Sequence, residues 1–387
     1  MGRYPKEKGG KMKKRVVSLA LAATMAVSSL AGCGSSSSPA TTTAAAEKKE
    51  ETKKETEKAA EPAATEAQKE AEGELAGLEP VTLTIYSPGN ENSVPTKTIA
   101  EYARLVKEAS NGQITLDVHS SGELGNDAEA LASTRLGTID LIFAGTSGFT
   151  EFYDKAKILD MPFLFKDADQ AYEVTNGELG DKIFAGFEDV GLVYLAEGDN
   201  GMRQVSTTEA GGPIHTAADV EGVKLRVPTS QVYLDVWQTL GANPVALALN
   251  ELAIALSNGT AEGQDNATYH LVANATYDDI KYFSFINYMW MGCTMAANKD
   301  SWDALPEQYQ TILREEAKKA AKYSFDTIKE DNVTARKTLE EAGVKFDDEP
   351  DVQSFKDKLD IPNFYKKYES ESWYDQELLD ALLAVNK

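Results

Sequence analysis

The stretch from Gly222 to Ser230, "GVKLRVPTS", decides how the rest of the chain is interpreted. Apolar and polar residues alternate in it from Val223 to Val227, and a proline then ends the run. Alternation with a period of two predicts a strand that has one buried face and one polar face. We therefore expect a strand here, with Arg226 on the face that is open to solvent.

Strand patterns and helical patterns alternate on both sides of this stretch. The predicted strands are "VTLTIYSPG", "ITLDVHS", "IDLIFAG", "GLVYLAEG" and "PVALAL". The predicted helices include one with Ile99, Tyr102 and Val106 on a single face, and the segments "NDAEALASTRLG", "SQVYLDVWQTLG" and "NELAIALSNG". Strands that alternate with helices are typical of an α/β body with largely parallel pairing.

A long helical run extends from Glu307 to about Ala342 and is closed by Gly343. It exceeds most helices of globular proteins and is long enough to span two domains. Roughly 305 residues follow Pro80, which is more than one hydrophobic core usually holds. We therefore predict two lobes.

The first 32 residues have the pattern of an export signal. Residues 1–15 carry seven Lys or Arg against one Glu, an apolar run extends from Val16 to Leu30, and "LAGC" ends at Cys33. A basic region, a short apolar region and small residues before a cleavage site are typical of a signal peptide. The stretch looks like a bacterial lipoprotein signal, which predicts that Cys33 becomes an acylated, palmitate-type membrane anchor.

The segment from Gly34 to about Pro80 is low in complexity, rich first in Ser, Thr and Ala and then in Glu, Lys and Ala. Such a composition cannot bury enough apolar surface to fold, so it predicts a tether between a membrane and a globular body. The net charge changes from −23 to −29 without residues 1–32, because they carry seven basic residues and one acidic residue. This acidity argues against nucleic acid as a partner.

Residue patterns of catalysis and metal binding are scarce. The histidines His119, His215 and His270 lie far apart, and no Cys/His cluster, nucleophile elbow or phosphate-binding glycine loop is present in the sequence. Cys293 is the one cysteine besides Cys33, and its apolar surroundings predict a buried side chain. The absence of these motifs does not exclude an enzyme, but it favours a binding protein. We predict that function, with no metal, no cofactor and no catalytic residues.

Seven motifs give the chain its resemblance to a known family. From Tyr86 to about Tyr323 it resembles the extracytoplasmic solute-binding proteins of tripartite ATP-independent periplasmic (TRAP) transporters. The motifs are, in order, "SSGELGND", "GTIDLIFAG", "LDMPFLFKD", "DNGMRQVS", "DVEGVKLRVPTS", "LGANPVALALNELAIALSNGTAEGQDN" and "KDSWDALPEQYQ". Each motif alone is a weak signal, but seven in the same order are a strong one.

The resemblance implies a two-lobed, periplasmic-binding-protein-like (Venus-flytrap) α/β fold, with a long helix that spans both lobes. We expect the cleft to close on a ligand by a hinge motion. The predicted parts are the signal peptide (1–32), the lipidated cysteine and tether (33–80), lobe I (81–199), lobe II (200–289), the return to lobe I (290–329), and a C-terminal part that lies mainly on lobe II (330–387).

The resemblance also implies which residues bind the ligand. Family members typically hold a carboxylate on an arginine in the strand before a proline, which corresponds to Arg226. Arg203 matches the "NG-x-R" motif, and the alternative is that it braces the cleft by pairing with an acid. Asn266 matches "GQ-(Glu/Asp)-N", and Thr229 precedes a helix start. Family members commonly have a histidine near the hinge. This sequence lacks it, and Tyr288 is the residue closest to that position.

Physical chemistry supports an arginine in this role, because its planar guanidinium pairs with both oxygens of a carboxylate at once. The sequence departs from the family at Ala267, where a proline is usual, and at Gly145–Ser147, where some relatives carry a charged or bulky selectivity residue. Because of these departures, the sequence does not identify the ligand, which could be any of several organic acids or a sulfonate.

The function implied is capture of a small organic anion and its delivery to the membrane subunits of an ion-coupled TRAP permease, at the extracytoplasmic face of a bacterial membrane. The alternatives are a sensory lipoprotein that presents its ligand to a receptor and, less favoured, an extracellular enzyme. The coupling ion, the oligomeric state and the start residue, Met1 or Met12, stay open.

Overall fold

A computed structural model describes residues 75–385 of the chain. The predicted signal peptide, Cys33 and most of the predicted tether therefore lie outside the described residues. Within residues 75–385, no helix combines the length and the apolar character needed to cross a membrane.

Strands and helices alternate in the order expected of an α/β protein. The strands are β1 (Val81–Tyr86), β2 (Ile114–His119), β3 (Leu141–Gly145), β4 (Leu192–Thr208), β5 (Lys224–Val227), β6 (Asn243–Ala246), β7 (Gly263–Asn266), β8 (Ile280–Asn298) and β9 (Lys345–Asp347). The helices are α1 (Val94–Ala109), α2 (Asp127–Arg135), α3 (Thr146–Phe149), α4 (Ala168–Thr175), α5 (Glu178–Phe184), α6 (Gln231–Thr239), α7 (Leu252–Ser257), α8 (Thr268–Ala273), α9 (Lys299–Asp303), α10 (Glu307–Glu341), α11 (Val352–Leu359), α12 (Ile361–Lys366) and α13 (Gln376–Val385). Short 3-10 helices lie at Asp154–Asp160, Phe187–Val190 and Leu249–Glu251.

One continuous sheet joins the strands in the order β2-β1-β3-β8-β4-β7-β5-β6, and β9 pairs with β8. Strands β1, β2 and β3 pair in parallel, as do β5, β6 and β7. The long strands β4 and β8 pair with each other in antiparallel fashion. The predicted parallel pairing is therefore confirmed on either side of an antiparallel centre.

The long strands divide the sheet into two lobes. Lobe I holds β2, β1 and β3 with the first half of β4 and the second half of β8, and lobe II holds β7, β5, β6 and β9 with the remaining halves. The boundaries predicted after residues 199 and 289 fall inside β4 and β8, so both strands pass between the lobes. The two-lobed α/β fold class is confirmed.

Irregular backbone marks the place where β4 crosses between the lobes. Its register against β8 shifts between Asp199 and Met202. Gly201 lies there with φ of 97°, in the left-handed region that favours glycine. A Cβ atom on Gly201 would lie 2.6 Å from the Cβ of Ala267, so a larger residue does not fit without a shift of the backbone.

Helix α10 joins the cores of the two lobes. It has 35 residues, which corresponds to a length of about 52 Å. Its Leu313, Ala317 and Ala320 pack into the core of lobe I, whereas Leu339 packs with strand and helix residues of lobe II. The predicted long helix and its end before Gly343 are confirmed.

The C-terminal helices contact both lobes. Helix α11 packs against α6 of lobe II, whereas α13 packs against α4 and α5 of lobe I. The side chain of Gln170 donates a hydrogen bond to the carbonyl of Val385 at 2.8 Å, which fixes the end of α13 on lobe I. The C-terminal part is therefore a further connection between the lobes.

Candidate functional site

Arg226 lies on β5 near its carboxyl end, a position at which α/β sheets place binding groups. Leu225 and Val227 point into the core as the alternation predicted, and Lys224 is exposed. The expectation that Arg226 faces solvent is wrong, because only 3% of its surface is exposed. Its side chain folds back over the end of β6, where Nε and Nη2 donate to the carbonyl of Leu247 at 3.0 and 2.7 Å.

The charge of Arg226 has no carboxylate beside it. Among residues 75–385, no Asp or Glu oxygen lies within salt-bridge distance of its guanidinium, and no hydrogen-bond partner is found for its Nη1. Burial lowers the pKa of Arg226 to about 10, and the nearby Arg203 contributes to the lowering. The group is still a cation at neutral pH.

Asp127, the first residue of α2 in lobe I, interacts electrostatically with Arg226. Burial raises the pKa of the Asp127 carboxyl, and the positive charge of Arg226 partly offsets that rise. The Asp127 side chain keeps access to solvent although protein atoms surround it.

Arg203 is buried as deeply, but it is paired. Its Nε and Nη2 donate to the carboxylate of Asp265 at 2.9 and 3.0 Å, and its guanidinium lies 4.9 Å from the centre of the Tyr233 ring. Burial opposes the charge on Arg203, but Asp265 and the tyrosines Tyr233 and Tyr288 outweigh burial and raise its pKa above the ordinary value. The bracing role considered for Arg203 fits these contacts.

Asn266 and Thr229 lie in different environments. Asn266 is the last residue of β7 and is 3% exposed, and its Oδ1 accepts from the backbone N–H of Ala267 at 3.1 Å. Its Nδ2 donates to Gln264 over a longer 3.4 Å. Thr229 is exposed next to Ser230, the N-cap of α6.

Tyr288 is held inside a hydrogen-bonded chain. Its hydroxyl donates to the carboxylate of Asp265 and accepts from the indole N–H of Trp237 at 3.1 Å. It is 1% exposed. Tyr288 thus supports the same carboxylate that holds Arg203.

The pairing of the strands sorts these residues onto two faces of the lobe II sheet. Arg226 is paired with Gln264 in the neighbouring strand, and Asn266 follows two positions later, so the three side chains share one face. Asp265 points to the opposite face, where it meets Arg203. The structure therefore places Arg226 and Asn266 on one face of the sheet, and it brings Arg203 and Tyr288 together at Asp265.

Sequence reasoning missed two acidic residues of this region. Asp265 was part of the "GQDN" motif, but its pairing with Arg203 was not assigned. Asp160 of lobe I accepts from the hydroxyls of Ser230 and Tyr233 of lobe II, at 3.3 and 3.4 Å. The chain has 62 acidic residues, and no spacing pattern in the sequence distinguishes Asp160 and Asp265 from the others.

A buried carboxyl group also lies behind the predicted selectivity position. Glu197 of β4 is fully buried, and it accepts hydrogen bonds from the hydroxyls of Thr146 and Thr294. Burial raises the pKa of Glu197 to about 8, and the two threonine hydroxyls oppose the rise. The Thr146 side chain is thus directed at Glu197.

Two surface depressions lie away from all of these residues. One, of about 530 Å³, is lined by Phe152–Lys155 and Ser372–Gln376. The other, of about 340 Å³, lies beside α11 and is lined in part by Lys356 and Pro362. Neither includes a predicted site residue, and the buried arginine pair remains the better candidate because it carries the unbalanced charge.

The raised pKa of Glu197 predicts a pH-dependent stability. In the folded protein the Glu197 carboxyl keeps its proton up to about pH 8, whereas in the unfolded chain it loses the proton near its ordinary pKa of 4.5. The protonated Glu197 therefore contributes its full stabilisation below about pH 4.5. That contribution decreases above about pH 4.5 and is lost as the pH rises through about 8. Glu197→Gln keeps the shape and cannot ionise. We expect the wild type to lose about 1 kcal/mol per pH unit relative to this variant between about pH 5 and 8.

Urea unfolding at several pH values measures this difference. Glu178→Gln, at an exposed position of α5, serves as the matched control and should follow the wild type. Parallel pH profiles for the wild type and Glu197→Gln would rule out a protonated Glu197.

Known proteins resemble this chain in sequence and in fold. The family described as "Bacterial extracellular solute-binding protein, family 7" (DctP) matches residues 87–371. The chain is 29% identical to the 2,3-diketo-L-gulonate-binding periplasmic protein YiaO of Escherichia coli over 256 residues, which are 66% of this chain and 77% of that protein. It is 25% identical to the C4-dicarboxylate-binding protein DctB of Bacillus subtilis, over 77% of this chain and 84% of that protein.

Solved structures agree with these sequence relatives. A TRAP periplasmic solute-binding protein from Polaromonas sp. JS666, bound to D-erythronate, superposes with a TM-score of 0.74 at 25% identity, over 79% of this chain and 99% of that one. One from Chromohalobacter salexigens with bound D-glucuronate gives a TM-score of 0.74 at 24% identity, over 78% and 99%. Since the family match covers well over half of its length, the chain belongs to family 7 of the bacterial extracellular solute-binding proteins, the TRAP type that its motifs resemble.

Proposed function

We propose that this protein captures a small organic anion, a carboxylate, on Arg226 and delivers it to the membrane subunits of an ion-coupled TRAP permease. The proposal extends the family membership to a particular residue, ligand class and partner. It contains no catalytic step, in keeping with relatives that are named as binding proteins.

The contrast between the two buried arginines carries the proposal. Arg203 is neutralised by Asp265 at 2.9 Å. Arg226 is equally buried, and within residues 75–385 its hydrogen-bond partner is the carbonyl of Leu247. A buried charge without a counter-ion is costly, and proteins usually keep one where function needs it. An anionic ligand would supply the missing charge.

The surroundings of Arg226 suit a carboxylate that also carries hydroxyl groups. The guanidinium presents a planar fork to two oxygens, and Nη1 has no other partner among the described residues. Asn266 shares its sheet face and can both donate and accept, so it suits a hydroxyl next to the carboxylate. Asp127 on the other side of the cleft would accept from a ligand hydroxyl and repel a second carboxylate.

The relatives point to the same ligand class. Solved structures at 21–25% identity include proteins with bound D-erythronate, galactonate and D-glucuronate, and YiaO is named for binding 2,3-diketo-L-gulonate. Sugar acids are therefore the first compounds to try with this chain, and C4-dicarboxylates, named for two further relatives, are the second.

Membrane attachment completes the proposed role. The basic segment, the apolar run and "LAGC" support acylation of Cys33, and residues 34–80 would act as the tether. The proposed place of action is the extracytoplasmic face of the cell membrane, close to the permease.

Removal of the Arg226 guanidinium should weaken binding of the ligand strongly. A thermal-shift screen of sugar acids and dicarboxylates identifies a ligand, because a compound that binds the folded state raises the melting temperature. Calorimetry with that compound should then show about 10- to 100-fold weaker binding for Arg226→Ala, equivalent to about 1.5–3 kcal/mol.

Two variants serve as controls for this change. Lys224→Ala removes an exposed cation from the same strand and should bind as the wild type does. Arg226→Lys keeps the charge without the planar fork, and we expect an intermediate affinity. Unchanged affinity in Arg226→Ala would exclude Arg226 as the anchor.

Replacement of the predicted lipid attachment site should release the protein from the membrane. Cys33→Ser removes the thiol that would be acylated, so the variant should move from the membrane fraction to the soluble extracytoplasmic fraction. Cell fractionation with metabolic labelling by a fatty acid measures this. Continued labelling of Cys33→Ser would show that Cys33 is not the acylated residue.

A further inference from the structure

A structured loop of lobe I reaches the rim of the cleft at Asn90. The side-chain Oδ1 of Asn90 accepts from the backbone N–H of Asn92 at 2.9 Å, and its carbonyl accepts from the N–H and the hydroxyl of Ser93 at 3.0 and 2.8 Å. Ser93 is the N-cap of α1. The loop is thereby fixed to lobe I and presents the Asn90 amide group outward.

That amide group bonds directly to lobe II. Its Nδ2 donates to the carbonyl of Ala273 at 2.8 Å and to Oδ1 of Asn274 at 3.1 Å. Ala273 is the last residue of α8, where helix carbonyls lack partners within the helix. Asn90 precedes α1 of lobe I, and α8 follows β7 of lobe II, so these bonds join the two lobes.

The contact continues from the rim to the hinge. The side-chain amide of Asn274 meets Nδ1 of His270 at 3.1 Å, and Nε2 of His270 meets Oδ1 of Asn200 at 2.9 Å. Burial, Arg203 and Arg226 lower the pKa of His270 to about 3, so the ring is neutral, with Nδ1 accepting and Nε2 donating. Asn200 lies at the bulge where β4 crosses between the lobes.

We infer that Asn90 is a closure latch. Its side-chain amide joins lobe I to the C-terminal end of α8, and through Asn274 and His270 it links the rim of the cleft to the hinge strand. All of these bonds are between protein groups, so the latch favours the closed state whether or not a ligand is present.

A latch of this kind changes the affinity for all ligands by the same factor, so it does not change which ligand is preferred. The apparent affinity for a ligand scales with the fraction of molecules in the binding-competent state, and the latch changes that fraction equally for every ligand. The effect is measurable on the free protein. It is therefore tested separately from the role proposed for Arg226.

Asn90→Asp is the sharpest test variant. It retains Oδ1 for the N–H of Asn92 and so keeps the loop, but it replaces the donor with an oxygen that repels the carbonyl of Ala273. Loss of hydrogen bonds of this kind should raise the ratio of open to closed molecules about 3- to 10-fold. Asn92→Asp, exposed in the same loop, adds the same charge without touching lobe II and serves as the control.

Double electron–electron resonance spectroscopy on the full chain without ligand distinguishes the open state from the closed state by the distance between two spin labels. Spin labels are placed at the exposed positions Glu108→Cys in lobe I and Asp278→Cys in lobe II. Cys33→Ser leaves these as the accessible thiols, because Cys293 is fully buried. We expect a larger long-distance population in Asn90→Asp and a wild-type distribution in Asn92→Asp.

A second variant keeps the test decisive. Asn274→Ala removes the partner side chain from lobe II and should also shift the population toward longer distances. If circular dichroism shows that Asn90→Asp fails to fold, Asn274→Ala decides the question. Distance distributions that match the wild type in the folded variants would overturn the latch.

Discussion

The guanidinium of Arg226 is buried with no carboxylate at salt-bridge distance among residues 75–385, and the proposed binding site in lobe II depends on this uncompensated charge. Arg226 is 3% exposed and is bonded to one backbone carbonyl, whereas Arg203 nearby is matched by Asp265. The desolvation of Arg203 is offset inside the protein. Burial lowers the pKa of Arg226, and the charge of Asp265 opposes this only in part. We propose that this imbalance favours an anionic ligand in the cleft.

The rest of the fold holds this charge between two lobes. Strands β4 and β8 cross between the lobes, and α10 packs into the cores of both lobes. The expected hinge motion would change the backbone at this crossing. Hydrogen bonds of Asn90 and of Asp160 join the lobes directly, and buried apolar side chains such as Val94 and Tyr269 also pack between them. The hydrogen bonds of Asn90 join neutral groups, and bonds of that kind contribute about 1 kcal/mol each.

Much of the fold could be predicted from the sequence, because lobe strands with one apolar face and helices with clear ends leave periodic patterns. Strand β5 and helix α10 lie close to their predicted places. The full lengths of β4 and β8 were missed, since both are buried and interrupted by bulges, so no alternation survives. The extended backbone of β7 was likewise hidden within a short polar motif.

The site was harder to predict than the fold. Alternation placed Arg226 on the polar face of its strand, but it could not show that the side chain turns onto the carbonyl of Leu247 and leaves solvent. The partner of Arg203 is 62 residues away, and the contacts of Asn90 span 183 residues. Contacts between residues so far apart in the sequence depend on the topology of the fold, and local sequence patterns give no information about it.

The most direct measurement is a crystal structure of the chain with the sugar acid or dicarboxylate that raises its melting temperature most. The predicted result is a ligand carboxylate within about 3 Å of two guanidinium nitrogens of Arg226, with Arg203 still on Asp265. A carboxylate bound elsewhere, with Arg226 still bonded to the Leu247 carbonyl, would contradict the proposed anchor.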